Sequence, residues 1–303
     1  MNRAHRAFTL VELMVVIGII GILLSVLYKM IGGGAESAQN AKCLANLKSL
    51  ATACLNYKMN ADYYPLAGSI KLMGLSMNKN NSELEKNYND ANGWISWYSM
   101  GSDGHSESVG EYLSCYEQDV HKREFCYTNG ALWKYISGNQ SLYVCPLALK
   151  GRKLSAAPAF SYAMNADFGW DYRRGKSAFI SRPGISGIGL ADRKLLFAEI
   201  PNENSAVAAE KGSEFGDESD CVIQYKGCQG CNSPEYIGFN HKSGKRYKFA
   251  HLVFADGHTE QLRTPYSSAD DTGKDQLIEL TRLLCQGKSV KITDNGYEEM
   301  KDK

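Results

Sequence analysis

The chain has almost no net charge. Its 34 lysines and arginines and 33 aspartates and glutamates give +1 over 303 residues. A nucleic-acid-binding domain needs a basic surface to match phosphate charge, so no nucleic-acid partner is expected. The sequence also lacks a Gly-x-Ser-x-Gly nucleophile turn, a Walker-type phosphate loop and a recognisable carboxylate pair or metal triad. These absences predict a protein that is not an enzyme.

One long apolar segment, residues 8–28, stands near the start of the chain. As a helix it spans about 31 Å, roughly the hydrocarbon core of a bilayer. Arg3 and Arg6 precede it and favour a cytoplasmic N-terminus, which places the rest of the chain outside the cytoplasm. Glu12 is the only charged residue in the segment. An acid in lipid costs about 2.5–3.5 kcal/mol, so Glu12 marks a functional site.

Residues 8–13 read Phe-Thr-Leu-Val-Glu-Leu and directly follow a short basic leader. This motif resembles the processing site of type IV prepilins and type II secretion pseudopilins. The resemblance implies cleavage after Ala7 by a prepilin peptidase and N-methylation of Phe8. It also implies that Glu12 neutralises the Phe8 amine of a neighbouring subunit during assembly. Ala7 departs from the family's usual glycine, and a signal anchor with an incidental acid is the alternative interpretation.

The sequence predicts a single long helix at the N-terminus. Gly32–Gly34 is expected to be a weak or flexible point, because glycine costs a helix about 1 kcal/mol relative to alanine. Apolar residues at helical spacing resume after it and stop before Pro65. The predicted organisation is a basic leader (1–7), a helix (8–61) with a transmembrane segment (8–28), and an outward-facing domain (62–303).

The predicted fold class is α+β and pilin-like. The long N-terminal helix, with a membrane-spanning first half, packs its second half on an antiparallel β-sheet. Leu277, Leu280, Leu283 and Leu284 have helical spacing. They predict a C-terminal helix packed on the sheet and followed by a charged tail.

A second resemblance is scattered over most of residues 8–262. The matching blocks resemble, in order, a group of pseudopilin-like proteins with a C-terminal His-x9-Asp-Gly signature. They are Cys43-x-x-Asn-Leu-Lys, Cys145-Pro146, Ser161-Tyr-x-x-Asn165, Leu195–Glu199 and Asp256-Gly257. Here 14 residues separate His241 from Asp256. Either His241 is the signature histidine with a longer loop, or that histidine is absent.

Asp256-Gly257 joins two segments, 249–255 and 258–262, that read as strands. The dipeptide is typical of a two-residue hairpin turn in which both positions have positive φ. A hairpin is therefore the main prediction. A metal site is the alternative, with His241, His251, Asp256 and His258 as ligands. His251 and His258 alternate with apolar neighbours and are expected to face solvent.

The nine cysteines are an odd number, so at least one is a free thiol or pairs between chains. Cys43 and Cys54 lie about 16 Å apart along the predicted helix, too far for a disulfide. Each must find a partner in the outer domain or stay a buried thiol. A local disulfide is predicted among Cys221, Cys228 and Cys231, with free thiols or zinc as alternatives.

Two further clusters have an ordinary and a functional interpretation. The acidic cluster of Glu214, Asp217, Glu218 and Asp220 predicts a solvated loop. It lacks a complete 12-residue calcium loop, so no cofactor is expected and a calcium ion is the alternative. The aromatic patch of Trp94, Trp97 and Tyr98 predicts core packing, with sugar stacking as the alternative.

The resemblances together imply a structural subunit in the inner membrane. A prepilin peptidase would process it, and it would assemble with other pseudopilin or pilin subunits into a pseudopilus or pilus for type II protein secretion. The large outer domain favours a minor or tip subunit. The alternative function is a surface binding module for extracellular polysaccharide or protein that uses the prepilin segment only as an anchor.

Overall fold

The structure is a computed structural model. It describes residues 10–67, 93–96, 120–149, 160–168, 191–201, 221–223, 236–243, 247–264, 271–293 and 296–300.

A single 52-residue helix, α1 (Leu10–Ala61), begins the described chain. It runs without interruption through Gly32–Gly34, where a weak point was expected, and it ends at the predicted residue. Asp62 follows with a φ of +62°, and its amide still donates to the Lys58 carbonyl. This left-handed residue turns the chain out of the helix, and Pro65 then prevents the helix from resuming.

The two ends of α1 have different surroundings. The large apolar side chains between Leu10 and Leu24 are 44–68% exposed. By contrast, the face that includes Cys43, Leu47, Leu50 and Tyr57 is at most 2% exposed. None of the helices in the described segments is long and apolar enough to cross a bilayer.

The remaining described helices are short, apart from the predicted C-terminal helix. They are α2 (Val120–Thr128), α3 (Asp271–Cys285) and the 3-10 helices Trp133–Ile136, Gln140–Tyr143 and Pro146–Leu149.

The strands form one six-stranded sheet and one two-stranded hairpin. In chain order they are β1 (Tyr162–Asn165), β2 (Leu195–Glu199), β3 (Val222–Ile223), β4 (His241–Ser243), β5 (Tyr247–Phe254), β6 (Thr259–Thr264), β7 (Val290–Thr293) and β8 (Gly296–Glu299).

The six-stranded sheet is mixed, which corrects the prediction of an antiparallel sheet. β3 pairs with β1 in parallel, and the other described pairs are antiparallel. β6 occupies one edge of β5, while β2 and β4 pair in succession with the other edge. The end of β2 and the start of β4 therefore meet beside the middle of β5.

α3 and the C-terminal hairpin complete the core. The buried face of α3 includes Leu277, Leu280 and Leu284. Asn165 connects the helix to the sheet, because its amide donates to the carbonyls of Leu195 and Cys285. The chain then forms the β7–β8 hairpin, where the sequence predicted only a charged tail.

Candidate functional site

The predicted processing site lies at the edge of the described chain. Ala7 and Phe8 fall outside the described residues, as do residues 1–7 as a whole. Glu12 lies in the first turn of α1 and is exposed. It is surrounded along the helix by the exposed apolar side chains from Leu10 to Leu24. The described part of the motif, from Leu10 onward, thus lies on an exposed, apolar stretch of helix.

Three ionisable side chains, Glu199, His241 and His251, form a buried cluster. All three side chains are 0% exposed. Glu199 is the last residue of β2, His241 is the first of β4, and His251 lies in the middle of β5. Because β2 and β4 share one edge of β5, their junction brings these side chains together.

Gly238 allows the chain to enter β4 at this place. Its amide donates to the Glu199 carbonyl at 2.7 Å. A Cβ at this position would lie 2.2 Å from the carbonyl carbon and oxygen of Ile200, which no side chain tolerates. A residue without a side chain is therefore required where the segment leading to His241 passes the end of β2.

The three side chains converge on one carboxylate oxygen. Glu199 Oε1 lies 2.6 Å from His241 Nε2 and 3.0 Å from His251 Nδ1, and these two nitrogens are 3.2 Å apart. Burial raises the pKa of the Glu199 carboxyl, but hydrogen bonds from the histidines and their charge outweigh burial. The pKa of Glu199 consequently lies below its usual value.

On the side away from Glu199, each imidazole contacts one amide side chain. His241 Nδ1 donates to Asn40 Oδ1 on α1 at 2.7 Å. The Gln261 amide on β6 donates to His251 Nε2 at 3.3 Å. The cluster is thus fixed from both the helix and the sheet.

A disulfide joins α1 to the outer domain beside this cluster. Cys43 and Cys145 are bonded with a Cα–Cα distance of 5.0 Å, and Cys145 Sγ lies 4.0 Å from His241 Nε2. This pairing confirms that Cys43 finds its partner in the outer domain. Cys54 shows the other predicted outcome, because it is a fully buried thiol.

The four residues of the alternative metal site do not lie together as one group. His251 does not face solvent, because it is fully buried against Glu199. Asp256 and His258 instead form a separate, partly exposed pair at the tip of the hairpin, where Asp256 Oδ1 lies 2.6 Å from His258 Nδ1. The structure therefore unites His241 and His251 with Glu199 and leaves Asp256 outside the group.

The Asp256-Gly257 hairpin forms as predicted, but with a different turn. Val253 pairs with Thr259, and the Phe254 amide donates to the His258 carbonyl, so the loop has three residues, 255–257. Gly257 has a φ of +91°, whereas Asp256 does not have positive φ. A three-residue loop that ends in a left-handed glycine is the next most common hairpin connection after the two-residue turn.

Trp94 belongs to the core, as the main interpretation predicted. Its ring is fully buried against Phe197 and Tyr143, and its indole Nε1 donates to the Cys221 carbonyl at 2.8 Å. Trp94 is therefore not available to stack on a sugar. Trp97 and Tyr98 lie outside the described residues.

The remaining predicted sites mostly fall outside the described chain. Cys228 and Cys231 do so, as do the acidic residues Glu214, Asp217, Glu218 and Asp220. Cys221 is described and buried. The local disulfide and the calcium alternative consequently stay predictions.

Sequence reasoning missed the roles of Glu199 and Asn40. The available signal for Glu199 was its place at the end of the otherwise apolar strand Leu195–Glu199. A carboxylate at the end of a fully buried strand needs a cationic or hydrogen-bonding partner, because an isolated buried charge is costly. Nothing in the sequence distinguished Asn40 from other polar residues of α1.

Comparison with known proteins supports the motif at the N-terminus. Residues 2–28 match the family model described as the prokaryotic N-terminal methylation motif. The chain is also similar to the type II secretion system core protein G of Escherichia coli (strain K12), at 40% identity over 61 residues. That alignment covers 20% of this chain and 42% of the relative.

Related proteins from other bacteria give the same result. The core protein G of Dickeya chrysanthemi is 37% identical over 65 residues, which cover 22% of this chain and 42% of the relative. That of Pectobacterium carotovorum subsp. carotovorum is 40% identical over 61 residues, or 20% and 39%. The chain thus spans less than half the length of these relatives. No solved structure matches it significantly.

Proposed function

We propose that this chain is a pseudopilin-like structural subunit of a type II secretion system, without catalytic activity of its own. The observation that carries the proposal is the match of residues 2–28 to the N-terminal methylation motif. The partial similarity to core protein G supports the same class. The exposed apolar side chains of α1 between Leu10 and Leu24 also support this class.

In this proposal a prepilin peptidase removes residues 1–7 and the new terminus at Phe8 is methylated. The N-terminal segment, residues 8–28, then anchors the protein in the inner membrane with the outer domain on the far side. No described helix meets the requirements for a membrane crossing, so the anchor itself is part of the proposal. Glu12 recognises the Phe8 amine of an adjacent subunit, because an acid in an apolar environment is stabilised by a cation.

The alternative function is a binding module for extracellular polysaccharide or protein, and its sugar-stacking form would use the aromatic patch. Trp94, the described member of that patch, packs in the core. No feature of the described residues favours sugar binding, and we do not propose it.

Intact-mass measurement of the chain extracted from membranes tests the processing step. In a host with an active prepilin peptidase, the expected mass lacks residues 1–7 and carries one additional methyl group. A chain that keeps those residues in such a host contradicts the proposal.

Substitution of Glu12 tests the assembly step. Glu12→Ala is expected to be processed normally but to lose co-purification with partner pseudopilins. Glu36→Ala is the matched control, because Glu36 is an exposed acid of the same helix outside the motif. Equal recovery of partners with both variants would reject the assembly role of Glu12.

A further inference from the structure

We propose that Glu199, His241 and His251 form a binding site for a divalent transition-metal ion of the zinc class. The donor atoms are Glu199 Oε1, His241 Nε2 and His251 Nδ1. This site goes beyond the proposed secretion role and does not depend on it.

The three donor atoms lie close enough together to share one ion. Their separations are 2.6, 3.0 and 3.2 Å. A tetrahedral ion with bonds of about 2.0–2.2 Å separates neighbouring ligand atoms by roughly 3.3–3.6 Å, so binding requires these side chains to move apart by about 1 Å or less. Two imidazoles and one carboxylate form a donor set suited to zinc or iron, whereas calcium and magnesium prefer oxygen ligands throughout.

The hydrogen bond to Asn40 makes His241 ready for an ion. Because Nδ1 donates to Asn40 Oδ1, a neutral His241 carries a bare lone pair on Nε2. That lone pair is directed at Glu199 Oε1, 2.6 Å away. Two electron-pair donors that point at each other across this distance form the kind of place where a cation binds.

His251 can also present an unprotonated nitrogen, Nδ1, to an ion if the Gln261 amide group rotates. In the structure the Gln261 amide donates to Nε2, so Nδ1 carries the proton. Gln261 lies on the exposed side of β6, and turning its terminal amide presents Oε1 as an acceptor for Nε2–H instead. Both histidines would then donate to an amide oxygen behind them, the usual support of a metal-bound imidazole.

The sulfur atoms of Cys43 and Cys145 lie beside the site, and whether they are bonded to each other decides whether they could also bind the ion. Donor atoms of Cys43, Cys145, Glu199 and His241 all lie within 4.8 Å of one another. In the structure the two sulfurs are bonded to each other and are not thiolates. With the disulfide closed, the site is therefore composed of two nitrogens and one oxygen.

Metal analysis of the full chain, purified in detergent without chelator or reductant, tests the proposal. After growth with added zinc, the expected content is about one zinc ion per chain. Replacement of zinc by cobalt is expected to give visible bands of nitrogen and oxygen coordination without a thiolate charge-transfer band. Absence of bound metal in both preparations overturns the proposal, as does a thiolate band.

Substitutions test whether the bound ion lies at this cluster. Glu199→Gln and His251→Gln are expected to lose bound metal, whereas His258→Gln, a partly exposed histidine at the hairpin tip, keeps it. Since the buried variants can fail to fold, Asn40→Ala provides a second measurement. It is expected to weaken cobalt affinity about 10–100-fold while the far-UV spectrum is unchanged. Unchanged affinity in Asn40→Ala, or equal metal loss in His258→Gln, overturns the proposal.

Discussion

At the scale of single residues, the described structure depends on polar side chains that connect α1 to distant parts of the chain. Asn46 donates to the carbonyls of Ser141 and Val144, and Asn40 accepts from His241. These bonds connect α1 to the 3-10 helix Gln140–Tyr143, to Val144 after it and to β4. Hydrogen bonds between distant elements of this kind fix how the helix lies on the sheet.

Tyr64 is the clearest case for measurement. Its hydroxyl donates to the Ala255 carbonyl at 2.6 Å and accepts from Lys58 Nζ at 2.8 Å. Burial, with nearby Cys54 and Asp256, raises the pKa of Tyr64 to about 12, so the hydroxyl remains a donor at neutral pH. Tyr64→Phe leaves the Ala255 carbonyl unsatisfied and is expected to lower the free energy of unfolding by about 1–3 kcal/mol.

Urea unfolding of the Tyr64→Phe variant and of the parent chain measures this loss of unfolding free energy. Tyr135→Phe is the control, because its hydroxyl makes only a long, exposed bond of 3.3 Å to Asn60. The control is expected to stay within about 0.5 kcal/mol of the parent chain. Equal losses in the two variants would show that the bond to Ala255 does not stabilise the fold.

At the scale of elements, the disulfide is the strongest connection between α1 and the outer domain. It joins residues 102 positions apart, and closing a loop of that length restricts the unfolded chain considerably. Replacing both Cys43 and Cys145 with alanine is expected to lower the free energy of unfolding by about 2–4 kcal/mol. The parent chain is expected to lose a similar amount on addition of a dithiol reductant.

The response to reductant separates this effect from simple loss of packing. Cys54→Ala removes a buried thiol of the same helix and is expected to keep the full response to reductant. The Cys43→Ala/Cys145→Ala chain is expected to lose most of that response. If it responds as strongly as the parent chain, a different disulfide provides the stabilisation.

At the scale of the whole molecule, the two parts of α1 have different surroundings. Its first part exposes apolar side chains, while its second part is a component of the core of the outer domain. The boundary of the folded unit therefore lies within the helix and not at its C-terminal end.

Two truncations test where that boundary lies. A chain without residues 1–35 keeps Asn40, Cys43 and the buried face of α1. It is expected to be monomeric and to unfold within about 1 kcal/mol of the parent chain. A chain without residues 1–61 exposes the face of the sheet that α1 covers and is expected to aggregate. Size-exclusion chromatography and urea unfolding check both, and a well-folded shorter chain would refute this boundary.

The sequence by itself determined the local features of this protein. The helix to Ala61, the helix around Leu277–Leu284 and the Asp256-Gly257 hairpin follow from periodicity and turn chemistry, which act over a few neighbouring residues. The N-terminal motif is likewise contiguous, and its match to a family model covers residues 2–28. Helix rise alone excluded a bond between Cys43 and Cys54.

Only the tertiary structure decided which distant residues meet. Glu199, His241 and His251 come from three strands, and their contact depends on β2 and β4 sharing one edge of β5. The same holds for the Cys43–Cys145 bond and for the parallel pairing of β1 with β3. Strand order and register are set by packing over the whole core, because many pairings satisfy the same local pattern of apolar residues.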